Sequence, residues 1–545
     1  MKSFAALLDR LVLTPGRNDK IRILRNYLET TPDPARGLAL AAVTRDLELK
    51  SIKSGAIREM ANDRFDPELF AMSYDFVGDL AETVSLLWPT EHGANTPLML
   101  EDVVETLNAS TKEEARQHVE RWMEYLSASE RWALLKLVTG GLRIGVSARL
   151  AKQVLADMGD IEINEIEEIW YGLAPPYEDL FAWLEGRGDK PTVDLSAPFR
   201  PVMLAHPLVA KKDRDNPDAI DPDVICPDMF AFEWKWDGIR VQAASENGTR
   251  RIYTRTGEDI SHGFPDVIEG MSFNAAIDGE LLVRNTDGGV APFNDLQKRI
   301  NRKAPSKKLQ AQLPAFIRAY DILSLEGDDL RGLPFRERRK RLETFVVSLG
   351  SDRIDLSPQI PAEDINALDQ LRAEPPTPEI EGVMLKRWDS VYVPGRPKGQ
   401  WYKWKRDPYL IDAVLMYAQR GHGRRSGQFS DFTFGVWRNV DGEDQLAPVG
   451  KAYFGFTDDE LKDLNAFIKN NTIDRFGPVT SVAANKEKGL VLEVAFEGIH
   501  KSPRHKSGVA MRFPRIHRIR WDKPAVEADK LEALEMLIKQ HDTKP

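Results

Sequence analysis

The amino-acid sequence predicts a multidomain protein in which an all-α N-terminal part precedes an α+β part and an all-β part. The chain has 545 residues, enough for three or four domains of roughly 150 residues each. Apolar residues recur with the period of a helix early in the chain and with the period of a strand late in it. A proline-rich break separates the two patterns.

Residues 1–200 are expected to form the all-α domain. Ser127 stands three residues before Glu130, which is the spacing of a capping box at the start of a helix. Leu134 and Val138 follow at helical spacing. Few segments in this part alternate between apolar and polar residues as strands do.

Residues 201–410 are expected to form the α+β domain, entered through a proline-punctuated linker at 189–207. The runs 277–283 and 316–323 are short and apolar, which is typical of strands, and 335–349 has the composition of a charged helix.

Residues 411–525 are expected to form the all-β domain. Leu490, Leu492 and Val494 alternate with less apolar neighbours, as the buried face of a strand does. Residues 526–545 are predicted to form a polar helical tail.

Composition restricts the function classes that are open to this chain. Its formal net charge is −10, which by itself counts against a nucleic-acid-binding protein, but phosphate contact depends on local fields. Cys226 is the only cysteine, which excludes intrachain disulfides and a four-cysteine zinc site and favours a reducing cytoplasm. No signal peptide and no run of about 18 apolar residues is present, so no membrane span is predicted.

The segment 233–240 carries the first chemical signal, because it places Lys235 two residues before Asp-Gly and five before Arg240. A lysine attacks phosphorus only as the neutral amine, and at its ordinary pKa of about 10.4 roughly one molecule in a thousand is neutral near pH 7.4. Burial and nearby cations are expected to lower the pKa of Lys235. A surface lysine on a strand is the alternative interpretation for this pattern taken alone.

Further along the chain, acidic and basic groups follow strand-like runs. Glu280 comes after Asp-Gly; its carboxylate can bind a ribose hydroxyl or Mg²⁺, although Asp-Gly alone is typical of a hairpin turn. Glu381 belongs to a second acidic strand end. Lys403 and Lys405 alternate and therefore share a strand face. Two such ammonium groups repel unless a polyanion lies between them; a solvated strand face is the alternative.

Residues 501–523 are strongly basic in an otherwise acidic chain, with eight Lys or Arg residues against one acidic residue, Asp522. A run of like charges is usually a solvated surface. Arg518 and Arg520 alternate beside that aspartate, which is more typical of a shaped phosphate site.

Taken in order, these segments resemble the motifs of ATP-dependent DNA ligases, which belong to the covalent nucleotidyltransferases. The resemblance extends over nearly the whole chain. It implies a helical DNA-binding domain, an adenylation domain and an OB-fold domain that together seal nicks in duplex DNA, through a lysyl-AMP and an adenylated DNA, in repair or replication. The matching segments are 139–147, 201–207, 235–240, 255–259, 278–280, 320–321, 381–386, 403–405 and 520–523.

The resemblance also implies a role for each residue of the adenylation site. Lys235 would carry AMP, Glu233 would accept from the adenine amino group, and Tyr320 would stack on the adenine. The other implied contacts are with the ribose and phosphates of ATP and with a catalytic Mg²⁺ or Mn²⁺. Arg240 and Arg255 would contact ribose and phosphate, and Glu280 would hold the ribose and, with Glu381, the metal. Lys403 and Lys405 would hold the α-phosphate, and Arg520 and Lys523 would contact the β- and γ-phosphates. Arg396 is a further candidate, although its spacing in the sequence is one residue longer than expected.

Nicked duplex DNA is the implied partner, bound without sequence preference through its phosphates. The family further implies a monomer that encircles DNA in the cytoplasm, at the nucleoid and away from membranes. The residues predicted to contact DNA are Arg143, Lys298, Arg299, Arg302, Arg424 and Arg425.

Three other protein classes share part of this pattern. A capping guanylyltransferase or RNA ligase has the same lysine core, but capping enzymes lack a large helical N-terminal domain. An NAD⁺-dependent ligase would need a four-cysteine zinc finger, which one cysteine excludes. A non-enzymatic DNA clamp would leave the coexistence of Lys235, Glu280 and Glu381 unexplained.

Overall fold

A computed structural model describes residues 1–545 except positions 15, 48, 50–51, 78, 90–96, 194–195, 209–224, 301, 303, 422–428, 477–478, 503–506 and 543–545. The chain forms two units. The first contains Met1–Asp160, Ala174–Lys190 and Pro408–Thr543. The second contains Ile161–Leu173 and Pro191–Asp407.

The N-terminal part of the chain is helical throughout its described residues. Helix α9 begins with the predicted capping box, in which Ser127 accepts from the backbone N–H of Glu130 and Glu130 accepts from that of Ser127. The helix ends at Gly140, whose φ of 66° is left-handed. The helices are α1 Lys2–Leu13, α2 Arg17–Thr30, α3 Ala35–Thr44, α4 Ser54–Arg64, α5 Pro67–Val77, α6 Leu80–Leu87, α7 Leu100–Ala109, α8 Lys112–Tyr125, α9 Ala128–Thr139, α10 Ala148–Gly159, α11 Ile163–Ile169 and α12 Glu178–Leu184.

The second unit contains two sheets. The smaller has the strand order β1-β10-β9-β2, and the larger has the order β4-β3-β5-β6-β7 with β8 parallel to β6. The strands are β1 His206–Pro207, β2 Phe230–Trp236, β3 Ile239–Glu246, β4 Thr249–Thr254, β5 Ala275–Val283, β6 Ala315–Leu325, β7 Asp328–Asp329, β8 Ile354–Leu356, β9 Ile380–Arg387 and β10 Trp401–Lys405. The helices are α13 Pro265–Glu269, α14 Phe293–Ile300, α15 Lys307–Gln312, α16 Phe335–Leu349 and α17 Ile365–Ala373.

The C-terminal part of the first unit is a curled sheet. Strand β11, Tyr409–Arg420, pairs with two different strands on either side of a bulge between Leu415 and Tyr417. Its first half pairs with β16, Val491–Phe496, and its second half pairs with β15, Val479–Val482. Buried apolar residues of β11, β12 and β16 form the core, which α18 and α19 also contact. The elements are β11 Tyr409–Arg420, β12 Phe429–Val440, β13 Glu443–Ala452, α18 Asp458–Asn470, β14 Thr472–Phe476, β15 Val479–Val482, β16 Val491–Phe496, β17 Gly498–Lys501, β18 Val509–Arg512, β19 Arg515–Arg520 and α19 Leu531–Asp542.

This architecture confirms the predicted fold class of helical, α+β and all-β parts in that order. The predicted strands 277–283 and 316–323 lie within β5 and β6, and the predicted helix 335–349 is α16. The Asp-Gly pair before Glu280 lies inside β5 and not in a hairpin turn. The domain boundaries at 200, 410 and 525 stay predictions. Among the described residues, no helix is long and apolar enough to span a bilayer.

Candidate active site

A cavity of about 450 Å³ in the second unit is lined by residues of both sheets. Most of the residues predicted to bind ATP line it together, although they lie up to 170 positions apart in the sequence. The predicted residues on the cavity wall are Glu233, Lys235, Arg240, Arg255, Glu280, Tyr320, Arg396 and Lys403. Cavities with a few convergent polar groups are the usual place for small-molecule sites.

Strand register brings the basic residues of the smaller sheet onto one face. Lys235 on β2 pairs with Gly382 on β9, which pairs with Lys405 on β10. Residues opposite each other on neighbouring strands point to the same side of a sheet. Residues two positions away on the same strand share that side, and so Glu233 and Lys403 join the same face.

Gly382 allows these strands to approach closely. A Cβ atom at this position would lie 2.2 Å from the backbone oxygen of Trp404, which is far inside van der Waals contact. Its φ of 151° also favours glycine over other residues. The close approach of the β10 backbone therefore explains why position 382 is a glycine.

The Lys235 amine lies against an acidic side chain. Its Nζ atom donates to Oε2 of Glu381 at 2.6 Å, and Lys405 Nζ lies 3.6 Å from the same oxygen. Burial lowers the pKa of Lys235, but the negative charges of Glu381 and Glu280 outweigh burial, and the pKa is raised. The expectation that Lys235 has a depressed pKa is therefore wrong for this conformation, because its nearest charged partners are carboxylates.

The two carboxylates beside Lys235 have opposite pKa shifts. Burial raises the pKa of Glu280 to about 8, although the positive charge of Lys235 opposes the shift. Burial acts in the same direction on Glu381, but the Lys235 ammonium that donates to it holds the pKa of Glu381 at about 2. Glu381 is therefore the ionised partner of the pair, and Glu280 is a partly buried carboxyl group close to it.

A group of cations also lies near Lys235. The pKa of Lys403 is lowered, first by burial and then by the positive charges of Arg396, Lys235, Lys405 and Arg255. Cations that depress one another's pKa values repel, and an anion placed among them relieves the repulsion. This group can therefore hold a phosphate chain beside the Lys235 amine.

Arg240 is engaged within the protein. Its guanidinium donates to both carboxylate oxygens of Asp278, at 3.0 and 2.5 Å, and to the backbone oxygen of Met203 at 2.6 Å. Asp278 is fully buried and also accepts from Tyr392 at 2.7 Å. The Tyr320 ring lines the cavity nearby, with the Arg240 guanidinium carbon 5.9 Å from its centre.

Glu233 is also engaged, by two cations that the sequence analysis did not assign. Nη1 of Arg339 lies 3.2 Å from its Oε1 atom, and Nζ of Lys386 lies 2.8 Å from its Oε2 atom. Lys386 belongs to a recognised motif. Arg339 lies in α16, where the spacing of Phe335, Arg339 and Leu342 along one helix face was the signal that could have identified it.

The predicted β,γ-phosphate ligands lie in the first unit, where acidic residues hold them. Arg520 binds Asp522 at 2.8 Å and lies 3.5 Å from Asp412 and 3.7 Å from Glu493. Lys523 donates to Asp412 at 2.7 Å. Both cations are thus paired with carboxylates inside their own part of the chain.

The predicted DNA contacts have different environments. Arg143 is exposed beside a cavity that Arg17 and Lys20 also line, and Lys298 and Arg302 are exposed. Arg299 is completely buried and binds Asp266 at 2.7 Å. Its burial is incompatible with the predicted DNA contact, because helix α14 turns its Arg299 side inward.

The remaining two predicted DNA contacts cannot be placed in the same way. Arg424 and Arg425 lie outside the described residues.

Known proteins resemble this chain along its whole length. Family models described as "DNA ligase N terminus", "ATP dependent DNA ligase domain" and "ATP dependent DNA ligase C terminal region" match residues 1–156, 216–405 and 425–523. A DNA ligase of Thermococcus fumicolans is 28% identical over 559 residues, which cover 98% of this chain and 97% of that protein. A probable DNA ligase of Koribacter versatilis is 32% identical over 441 residues, or 76% and 73% of the two chains.

A solved structure shares the fold. The protein named Pmar-Lig_PreS3 superposes with a TM-score of 0.58 at 16% identity, over 95% of this chain and 99% of that one. The matched family models follow the same order as the helical, α+β and all-β parts described above.

Proposed function

Since this chain belongs to the family of ATP-dependent DNA ligases, we propose that Lys235 is the residue that carries AMP while the enzyme seals nicks in duplex DNA. The observation that carries the proposal is the position of the Lys235 amine, which donates to Glu381 at 2.6 Å on the wall of the cavity that Lys403 and Glu280 also line. A lysine that attacks phosphorus needs a cavity that holds the nucleotide, cations that neutralise its phosphates and carboxylates that can bind a metal.

In the first step, the Lys235 ammonium loses a proton to solvent, and the neutral nitrogen then attacks the α-phosphorus of ATP. A nitrogen–phosphorus bond forms, the bond from that phosphorus to the bridging oxygen breaks, and pyrophosphate leaves. Lys403, Lys405, Arg255 and Arg396 supply positive charge where negative charge develops on the phosphate oxygens, which lowers the barrier.

Two transfers complete the reaction. The AMP moves from Lys235 to the 5′-phosphate at the nick, and the 3′-hydroxyl then displaces AMP to form the phosphodiester. Arg520 and Lys523 are proposed to orient the leaving pyrophosphate in the first step only. For that, they must exchange the carboxylates of Asp412 and Asp522 for phosphate oxygens.

Glu280 and Glu381 are proposed to hold Mg²⁺ or Mn²⁺. Among the described residues, no group of three or more His, Cys, Asp or Glu side chains can hold a metal alone. Two carboxylates fit Mg²⁺ nevertheless, since this ion is usually bound by one or two carboxylates together with substrate phosphates. When bound, the metal would neutralise charge on the phosphates.

The experiment that tests the proposed function follows the AMP group. The protein is incubated with Mg²⁺ and ATP labelled at the α-phosphate, without DNA, and is then supplied with nicked duplex. We expect label on the protein that is stable to base and labile to acid, followed by its transfer to the 5′-phosphate and its release as the nick is sealed. Absence of label on the protein would refute the lysyl-adenylate, and labelling by GTP or a requirement for NAD⁺ would contradict the ATP site.

DNA affinity is expected to fall steeply with salt, because most contacts are proposed to be with phosphates. Replacing Arg143 with alanine should weaken binding to all nicked duplexes alike and reduce the log–log salt slope by about 1. Fluorescence anisotropy across a salt series measures both quantities. Lys462→Ala, at an exposed lysine paired with Asp459 in α18, serves as the comparison; an unchanged slope for Arg143→Ala would exclude Arg143 from the interface.

A further inference from the structure

The Glu233 carboxylate is buried between two cations at the wall of the ATP cavity. Its exposed fraction is 1%, against 3% for Arg339 and 1% for Lys386. Each carboxylate oxygen has its own cation, Arg339 at Oε1 and Lys386 at Oε2. A carboxylate buried this deeply is tolerated only when paired and hydrogen-bonded, and here α16 and β9 supply one cation each.

Other groups hold each cation in place. Arg339 donates to the backbone oxygen of Ser357 at 2.7 Å and to Glu343 at 2.8 Å. Lys386 donates to the backbone oxygen of Tyr320 at 3.3 Å. Both cations therefore have little freedom to leave Glu233.

Lys386 is also surrounded by aromatic rings. Its Nζ atom lies 4.3 Å from the ring centre of Tyr320, 4.8 Å from that of Trp401 and 5.0 Å from that of Phe335. Ring faces attract ammonium groups at such distances, so the same lysine contacts both Glu233 and the Tyr320 ring.

This arrangement makes Glu233 a pure hydrogen-bond acceptor. An ionised carboxylate offers about four lone-pair positions and no donor, and two of the positions are taken by Arg339 and Lys386. The remaining positions can accept from an exocyclic amino group of a purine. They repel a purine carbonyl oxygen at the same place, which is how adenine differs from guanine at C6.

We propose that Arg339 and Lys386 are positioning residues that set the preference for adenine over guanine, by holding the Glu233 carboxylate in a fixed orientation at the cavity wall. This inference rests on the proposed function, since the base must belong to the nucleotide that adenylates Lys235. A site built around a fixed acceptor rejects a base that lacks the matching donor, because the buried group would be left unpaired.

The test compares the rates of Lys235 labelling by α-labelled ATP and GTP in variants of the full chain. For Lys386→Met and Arg339→Met we expect KM for ATP to rise more than kcat falls, and the ATP-to-GTP preference to drop on the order of ten-fold or more. Lys386→Arg retains a cation and should recover most of the preference. Glu233→Gln, which keeps the shape but adds a donor, should lower the preference as well.

A matched control lies one position away. Arg338 is also a buried arginine of α16, but it binds Asp321 at 2.8 Å and makes no ion pair with Glu233. Arg338→Met is expected to lower thermal stability with the nucleotide preference unchanged.

An equal loss of ATP and GTP labelling in Lys386→Met, with the preference intact, would show that Lys386 has only a structural role. If Lys386→Met does not fold, an unchanged preference in Glu233→Gln overturns the proposal. Failure of the proposed function is a separate result, since wild type would then take no label from ATP.

Discussion

Lys235→Ala is expected to abolish labelling of the protein by ATP and all joining that begins from ATP. The nitrogen that bonds to phosphorus is removed, and removal of a catalytic nucleophile typically costs about 10⁶-fold in rate, to the limit of detection. The same variant is expected to seal a nick whose 5′-phosphate already carries AMP, because the last transfer uses the 3′-hydroxyl as nucleophile. Gel assays of protein labelling and of both sealing reactions measure the three activities.

The controls separate chemistry from folding. Lys340→Ala replaces an exposed lysine of α16 and should label as wild type does. A Lys235→Ala protein that still accepts label would show that another residue is the nucleophile. A variant that fails to seal the pre-adenylated nick, while folded by circular dichroism, would show that Lys235 also acts after the first step.

Removal of divalent cations is expected to have the second-largest effect. In excess chelator, labelling by ATP should fall to background and return when Mg²⁺ or Mn²⁺ is added. Glu280→Gln and Glu381→Gln keep the size of each side chain and replace one carboxyl oxygen that could bind the metal, so each should reduce labelling by about 10²–10³-fold, a typical effect of losing one electrostatic contact in an active site. Each should also raise the Mg²⁺ concentration needed for half-maximal rate.

An exposed carboxylate of the same unit provides the comparison for these variants. Glu363→Gln should leave both the rate and the Mg²⁺ requirement unchanged. Full labelling in chelator would contradict a metal-assisted first step. A Glu381→Gln variant with a normal Mg²⁺ requirement would assign that carboxylate to Lys235 alone.

The linear sequence determined the class of fold and the family, and it predicted eight of the residues that line the cavity. Composition identified α16 with its observed bounds, and short apolar runs placed strands within β5 and β6, because a strand buried on both faces has an almost continuous apolar sequence. The ordered motifs predicted Lys235, Glu280 and Lys403 as site residues, since the chemistry of phosphoryl transfer requires those residue types. Strand pairing in the smaller sheet explains why Lys235 and Lys403 share one face.

Only the tertiary structure decided which charges face one another. Arg339 reaches Glu233 across 106 positions, and Arg299, which stands in a basic run typical of a surface, is fully buried against Asp266. The pKa of Lys235 is raised and not lowered, because Glu381 lies 2.6 Å from it. Electrostatic energy depends on the distance between charges and on their burial, and neither quantity is present in the order of residues along the chain.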